Sequence, residues 1–344
     1  MIDTTSSFLP ATKSLLSALS DEARLHKLGL KLYNGHTIYL RHPFGYESIQ
    51  FRIYWERGQL FMRTSLPKLL QGHNVFGSNS VEYLCMEAID FLYESLGIPL
   101  TAKERAAILA KRIGLTRIDL TVSFFMPSQL MVPEVIEAVY DHFRAQGLKW
   151  SAYGQDDFET TYLGQRSTRL TWKFYNKYAE LMVNKIPADL PNRDPIIEYA
   201  RNLVRFELTL RGKELRRIGM MYADLWTPEK VRETIIRRLD SLELQGVIRE
   251  RLPLRYIEGL NKACQTFHDL WAEGCDLRRH RHYAPLSRAR REILRKNRVD
   301  IFRCRGTGSD IALEDLLTEE NAYFVGPKAL VKSGAIWLPT LARQ

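Results

Sequence analysis

The sequence has no run of about 18 uncharged apolar residues, the least a membrane-spanning helix needs, so no transmembrane segment is expected. Its first stretch, MIDTTSSFLPATKSLLSALS, lacks a basic start and breaks its apolar residues with Ser, Thr and Lys, so no signal peptide is read there. Cysteine is scarce. Cys85, Cys264, Cys275 and Cys304 are scattered without CxxC spacing, which fits reduced thiols in a cytoplasm better than a disulfide framework. There is no internal repeat and no low-complexity tract. The 45% hydrophobic, 26% charged and 11% aromatic composition excludes a disordered chain, a collagen and a coiled-coil rod. At 344 residues the chain is long enough for about two domains.

What is present in excess is positive charge. Fifty Lys and Arg against forty Asp and Glu give +10. A protein this basic collects on polyanions, with nucleic acid the first partner to consider and an anionic membrane surface the second. The excess is concentrated in RRHRHYAPLSRARREILRKNR, where Arg278, Arg279, Arg281, Arg288, Arg290, Arg291, Arg295, Lys296 and Arg298 face a single acid, Glu292. Arginine predominates, and its forked guanidinium suits phosphate. Ser287 to Asn297 reads as a helix with an N-cap candidate and a narrow apolar edge at Ile293 and Leu294. Aromatic residues are sparse there, so contact with a nucleic-acid backbone is expected rather than base stacking.

Periodicity lays out the rest. Residues 36–65 read as a hairpin turning at Glu56-Arg57-Gly58, followed by the loop Gln71-Gly72-His73-Asn74-Val75-Phe76-Gly77. Helices are expected from Ser80 to Leu96, from the capping box Thr101-Ala102-Lys103-Glu104 to Gly114, and from Pro133 to Gly147. Strands are expected at 115–124, 159–163, 168–176 and 203–210, with a Pro-containing connection between the last two. Beyond Arg211 the pattern turns helical, at 227–246, 253–273 and 287–297. This is an α+β chain: an antiparallel central sheet covered by helices on one face, followed by a helical domain of helix-turn-helix or winged-helix type. The expected divisions are 1–220, 221–304 and a loosely attached tail at 305–344.

Three of the strands alternate in the same way. Arg117, Asp119, Thr121 and Ser123 oppose Ile118, Leu120, Val122 and Phe124. Arg169, Thr171, Lys173 and Tyr175 oppose Leu170, Trp172 and Phe174. Arg205, Glu207, Thr209 and Arg211 oppose Val204, Phe206, Leu208 and Leu210. Period two places each polar set on one side. Alternation is what any half-buried strand shows. Should the three share a sheet, their polar side combines two carboxylates suited to Mg²⁺ or Mn²⁺, a tyrosine able to act as a nucleophile, and cations able to hold a phosphate.

The segments Lys68–Gly77, Thr116–Thr121 and Leu203–Glu207 resemble the gene II / gene X replication-initiator family of filamentous bacteriophages. So do Thr266–Leu277, the Arg-rich helix and Val299-Asp300-Ile301. The Tyr162–Ser167, Phe174–Lys177 and Arg205–Glu207 segments are more distantly similar to single-tyrosine rolling-circle plasmid initiators. The resemblance implies an HUH-like, Rep-like nicking domain in the bacterial host cytoplasm. It implies nicking of one strand of double-stranded origin DNA, a tyrosine linked to the 5′-phosphate, and a 3′-hydroxyl extended with host helicase and DNA polymerase. The displaced single strand is then rejoined into a circle. On matching positions Tyr175 is the nucleophile, Asp119 and Glu207 are ligands of Mg²⁺ or Mn²⁺ with His73 as a third, and Lys173 and Lys177 neutralise the phosphate or the tyrosinate. Arg117, Arg169 and Arg205 join the Arg-rich segment as DNA contacts, and the expected partners include a second copy on DNA, as a dimer, but no membrane.

Two features depart from that pattern. No His-hydrophobe-His motif lies on a strand, since His280-Arg281-His282 falls in the basic segment. Tyr175 and Tyr178 are three apart and on a strand would face opposite sides, which favours a single nucleophile. Two rivals remain: a DNA-binding replication regulator without catalysis, and a metal nuclease that forms no covalent link.

Overall fold

A computed structural model describes residues 1–41, 43–44, 49–145, 150–153, 159–244, 254–273, 275, 277, 283–297, 299–302 and 313–336. The strands are β1 (Ile2–Pro10), β2 (Leu32–Tyr33), β3 (Thr37–Leu40), β4 (Ile49–Tyr54), β5 (Gln59–Ser65), β6 (Gly114–Phe125), β7 (Trp150–Tyr153), β8 (Thr160–Leu163), β9 (Leu170–Asn176), β10 (Leu203–Arg211) and β11 (Ala322–Tyr323). They form one sheet in the order β2-β3-β4-β5-β1-β6-β10-β9-β8-β7, with β11 also pairing β6. Every pairing is antiparallel. The four strands expected between 115 and 210 are present with ends shifted by one or two residues.

Nothing in the hydropathy pattern announces β1. Its Thr and Ser residues disguise a central strand, in which Thr5 and Ser7 are as buried as Ile2. It is bulged between Ile2 and Thr5, where it pairs β6. Because β1 lies between β5 and β6, the hairpin of β4 and β5 joins the same sheet as β6, β10 and β9.

Helices α1 (Lys13–Ser20) and α2 (Glu22–Lys27) follow β1, and α3 (Leu66–Gln71), α4 (Val81–Ser95) and α5 (Ala102–Ala110) separate β5 from β6. The capping box at Thr101 and Glu104 forms as expected. Helix α6 (Met131–Ala145) follows β6. Its Val132, Val135, Ile136, Val139 and Phe143 recur at helical spacing and are fully buried in the main core. At about 2 kcal/mol per buried side chain, that stripe supplies on the order of 10 kcal/mol toward holding α6 on the sheet. Two short helices, α7 (Lys177–Asn184) and α8 (Arg193–Arg201), and α9 (Gly212–Arg217) flank β10. α7 and α8 occupy the stretch that reads from sequence as a polar connection, because neither carries a long apolar stripe.

Helix α10 (Pro228–Asp240) starts at Thr227, whose hydroxyl accepts from the Lys230 N–H at 3.2 Å. Its Val231 and Ile235 lie in the main core, so it packs with the sheet and not with the helices after it. Those helices are α11 (Leu254–Glu258), α12 (Lys262–Ala272) and α13 (Tyr283–Asn297). They hold a separate core around Trp271, Leu286, Ile293 and Ile301, and among the described residues this cluster contains no strand. The expected helix at 253–273 is two helices, because Asn261 caps a new start by accepting from the Cys264 N–H at 3.0 Å.

The described part of the tail, residues 313–336, is attached. Helices α14 (Leu313–Leu316) and α15 (Lys328–Lys332) flank β11, which extends the pairing of β6. Leu330, Ala335 and Ile336 share a third core with Val75, Phe76, Leu181 and Ile196. No helix among the described residues is long and apolar enough to cross a membrane.

Candidate active site on the polar face of the sheet

Register brings the three alternating strands together. Thr121, Glu207, Lys173 and Tyr162 stand side by side across β6, β10, β9 and β8. The next row holds Ser123, Arg205, Tyr175 and Thr160, and on the other side Asp119, Thr209 and Thr171. Directly paired residues of an antiparallel sheet point to the same face. The two carboxylates, Lys173 and Tyr175 therefore share the polar face, as the alternation implied.

Asp119 is 2% exposed and clamped by Arg117 through bonds of 2.8 and 2.6 Å. Burial still raises its pKa above the ordinary carboxylate value. Burial raises Glu207 further, to about 7, with Asp119 and Asp3 adding repulsion and Lys173 opposing them. Strand alternation does not reveal Asp3, because β1 itself is not evident in the sequence. Asp3 accepts from Ser65 Oγ at 2.7 Å and from Asn74 Nδ2 at 3.0 Å, and it is a third negative charge within electrostatic reach. Among the described residues no three His, Cys, Asp or Glu side chains lie close enough to cage a metal ion. Magnesium is commonly held by one or two carboxylates plus water and substrate phosphate. Asp119 and Glu207 are hard-oxygen donors, and the repulsion that Asp119 and Asp3 exert on Glu207 is of the kind a cation relieves, so the pair fits that kind of site.

Tyr175 is 2% exposed. Lys173 Nζ sits 3.8 Å from its ring centroid and Lys177 Nζ 5.9 Å. Burial pushes the phenol well above its usual value of 10, and the nearby Arg205 only partly offsets it. The cationic surroundings expected to ease deprotonation do not prevail in this conformation. Lys177 begins α7 directly after the strand, where Asn176 accepts from the Ala179 N–H at 3.1 Å and turns the chain. Lys177 is fully buried, donates to Asn74 Oδ1 at 2.8 Å and to Glu180 at 2.5 Å, and burial lowers its pKa to about 8. Burial alone would raise Glu180, but the Lys177 ammonium outweighs it and holds the carboxyl at about 2. Tyr178 lies on α7 under Arg201, 4.9 Å from its guanidinium, so its relation to Tyr175 is not that of strand neighbours.

The loop after α3 crosses one end of this face. Gly72, at φ +75°, ends α3 where a Cβ would meet Leu190 Cδ1 at 2.6 Å. His73 is 1% exposed. Its Nδ1 accepts from the Val75 N–H at 3.3 Å, so Nε2 is the nitrogen that donates to the Ala335 carbonyl at 2.7 Å. Burial lowers its pKa to about 4. With both nitrogens engaged, His73 ties loop to tail and has no lone pair for a metal. Arg205 is likewise internal. It donates to Ser123 Oγ at 3.1 Å, to the Asn74 carbonyl at 2.5 Å and to the Val75 carbonyl, so it anchors the loop and offers nothing to DNA.

The remaining arginines divide. Arg169 is exposed but paired with the wholly buried Glu214 at 2.9 Å. Arg290, assigned to DNA from the sequence, is 5% exposed and forms a two-pronged pair with the buried Asp300, so it belongs to the helical core. The reason is its position beside Ala289, Leu286 and Ile293 on the inward side of α13. Arg288, Arg291, Arg295 and Lys296 are on the exposed side, with Lys296 bonded to Glu292 at 2.9 Å. Arg278, Arg279, Arg281 and Arg298 lie outside the described residues.

Comparison with known proteins finds likenesses that span these strands. The family described as the N-terminal region of the gene II replication-associated protein matches residues 1–229. The replication-associated protein of that family from Enterobacteria phage I2-2 is 28% identical over 193 residues, 54% of this chain and 54% of that protein. Its counterpart from Enterobacteria phage M13 is 27% identical over 216 residues, 53% of this chain and 48% of that protein. The chain thus spans about half the length of the curated relatives it matches. A solved rolling circle replication initiator protein from Geobacillus stearothermophilus aligns over 65% of this chain and 78% of that chain at 14% identity, with a TM-score of 0.31.

Proposed function

Because the chain belongs to the family of gene II replication-associated proteins, over residues 1–229, we propose that it initiates rolling-circle replication of phage DNA by nicking and rejoining one strand at an origin. The observation that carries this reading is the convergence of Asp119, Glu207, Lys173 and Tyr175 on one face of three hydrogen-bonded strands. In this reading the Tyr175 oxygen attacks the scissile phosphorus. The bond to the 3′-oxygen breaks, and the 5′-phosphate is left on the tyrosine. The tyrosine proton is lost, and the departing 3′-oxygen takes one up. The phosphodiester bond energy is conserved in the adduct, so a 3′-hydroxyl can reverse the step and close the displaced strand.

Asp119 and Glu207 would hold a Mg²⁺ or Mn²⁺ ion. Bound there, it supplies positive charge to the phosphate as the transition state forms. Lys173 lies over the tyrosine ring and steadies the tyrosinate. Lys177, buried with its ammonium bonded to Asn74 Oδ1 and Glu180, would supply positive charge beside Tyr175 rather than touch the phosphate. Burial of Tyr175 requires the site to open when DNA enters. The exposed side of α13 is proposed to grip duplex phosphates, and the freed 3′-hydroxyl to serve host polymerase and helicase.

The burial of Tyr175 is also the observation that favours the rival, a regulator that binds DNA without cutting it. One experiment separates them. Origin-containing supercoiled plasmid is incubated with the protein and Mg²⁺, and the 5′ ends are examined for a linked tyrosine peptide. The expected result is a peptide containing Tyr175 and no adduct from Tyr175→Phe. An adduct on Tyr162, the more open tyrosine beside Lys173, or none at all, overturns the assignment.

A further inference from the structure

Apart from Asp3 and its partner Ser65, the half of the polar face formed by β3, β4, β5 and β1 takes no part in the chemistry above, yet its composition is unusual. Register sets Tyr39, Gln50, Arg63, Ser6, Arg117 and Arg211 in one row across β3, β4, β5, β1, β6 and β10. The neighbouring row holds Arg52, Phe61 and Phe8. Phe8 packs 5.0 Å from Phe61 and 5.6 Å from Tyr54, centroid to centroid, with tilted rings. The opposite face of these strands, with Phe51, Ile53, Leu60 and Met62, is in the main core, so the three rings are on the solvent side. All three are only half-buried. Neither row contains a carboxylate. Arg63 is exposed, and neither it nor Arg52 forms an ion pair among the described residues.

Aromatic rings on a solvated sheet beside unmatched arginines are what a single strand of nucleic acid needs. Each ring offers a stacking surface to any base, and each cation a contact to the backbone. A duplex does not fit this surface, because its bases are already stacked within the helix. The row also has a direction. From Arg63 it passes over three interstrand steps, about 14 Å, to Arg211. On the way it meets Arg117, which grips Asp119. A strand laid along it is delivered to the carboxylates.

We propose that the β4–β5–β1 face binds single-stranded DNA flanking the cleaved phosphate, with bases stacked on Phe8, Phe61 and Tyr54 and phosphates on Arg52 and Arg63. The assignment of its occupant as DNA rests on the replication function proposed above.

The test measures fluorescence anisotropy of a labelled oligothymidine titrated with the full chain at several salt concentrations. Phe61→Ala is expected to weaken binding roughly 5- to 150-fold, the range for removing one stacking ring. Arg63→Ala is expected to lower the slope of log affinity against log salt by about 0.7, the value for one single-strand phosphate contact. Phe61→Tyr, which keeps the ring, should bind as the parent does, and Phe61→Leu, which keeps apolar packing, should not. That pair decides the matter if the alanine variant unfolds. Parent-like affinity and salt slope in Phe61→Leu and Arg63→Ala overturn the proposal. So does a change in sedimentation with no change in affinity, which would make the face an interface between copies. The two readings fail separately. If the parent forms no tyrosine-linked end but Phe61→Leu loses affinity, the nicking assignment falls and this surface stands. If the adduct forms and affinities are unchanged, the surface alone falls.

Discussion

Replacing Glu207 by Gln should stabilise the protein in the absence of divalent ions while removing the metal-dependent chemistry proposed for it. The carboxyl is displaced from 4.5 to about 7 by burial and by the neighbouring Asp119 and Asp3. A raised carboxyl favours the fold in its protonated form. That advantage is complete below pH 4.5 and is lost as pH rises through about 7. Two and a half pH units at 1.36 kcal/mol each correspond to about 3 kcal/mol, and partial solvent access and the Lys173 charge reduce this to about 2 kcal/mol. Urea unfolding of parent and Glu207→Gln should therefore give similar stabilities at pH 4.5. At pH 8 the variant should be more stable by about 2 kcal/mol. Millimolar Mg²⁺ should close that gap by stabilising the parent alone, because a ligand that binds only the native state adds to its stability. A difference that does not vary with pH would refute the electrostatic reasoning. A Mg²⁺ effect of equal size in both proteins would remove Glu207 from the metal site.

Two further outcomes concern residues that the structure buries instead of presenting to a metal or to DNA. His73 is lowered from 6.5 to about 4, so its stabilisation is present above pH 6.5 and is lost as pH falls through about 4, a total of about 3 kcal/mol. His73→Gln should flatten the acid limb of the urea midpoint and leave metal dependence intact, whereas lost metal dependence would restore the histidine as a ligand. Arg290→Ala should cost about 3–5 kcal/mol by leaving the Asp300 charge buried and unpaired. Urea unfolding followed by tryptophan fluorescence, to which Trp271 in this cluster contributes, reports this, and a loss under about 1 kcal/mol would show the pair to be solvated.

The site was legible where chemistry follows period two. Asp119, Glu207, Lys173 and Tyr175 could be placed on one face from alternation, because side-chain direction along a strand is fixed by the pleat. What alternation does not carry is depth. It cannot distinguish Arg205, enclosed by carbonyls of a loop 130 residues away in sequence, from an arginine facing solvent. The same holds for Arg290, whose burial depends on Asp300 folding back under α13. β1 is hidden because its core-facing positions include Thr5, beside Cys85, and Ser7, buried polar side chains that hydropathy does not register. Asp3 is hidden with it. The tail reads as loose for a related reason: β11 is two residues long and draws its stability from the pairing partner, not from its own sequence.

The position of β6 has a consequence for how the chain acquires its structure. Its hydrogen-bonding partners are residues 2–10, 203–211 and 322–323, so none is close to it in sequence. Pairings this distant require large loops to close before any ladder energy is gained, which slows folding. During synthesis one edge of β6, already carrying its run of Ile118, Leu120, Val122 and Phe124, must wait for about eighty further residues before β10 leaves the ribosome. At roughly 5–20 residues per second that edge stays open for several seconds, and an open apolar edge is the kind of surface that chaperones bind and that aggregates grow from.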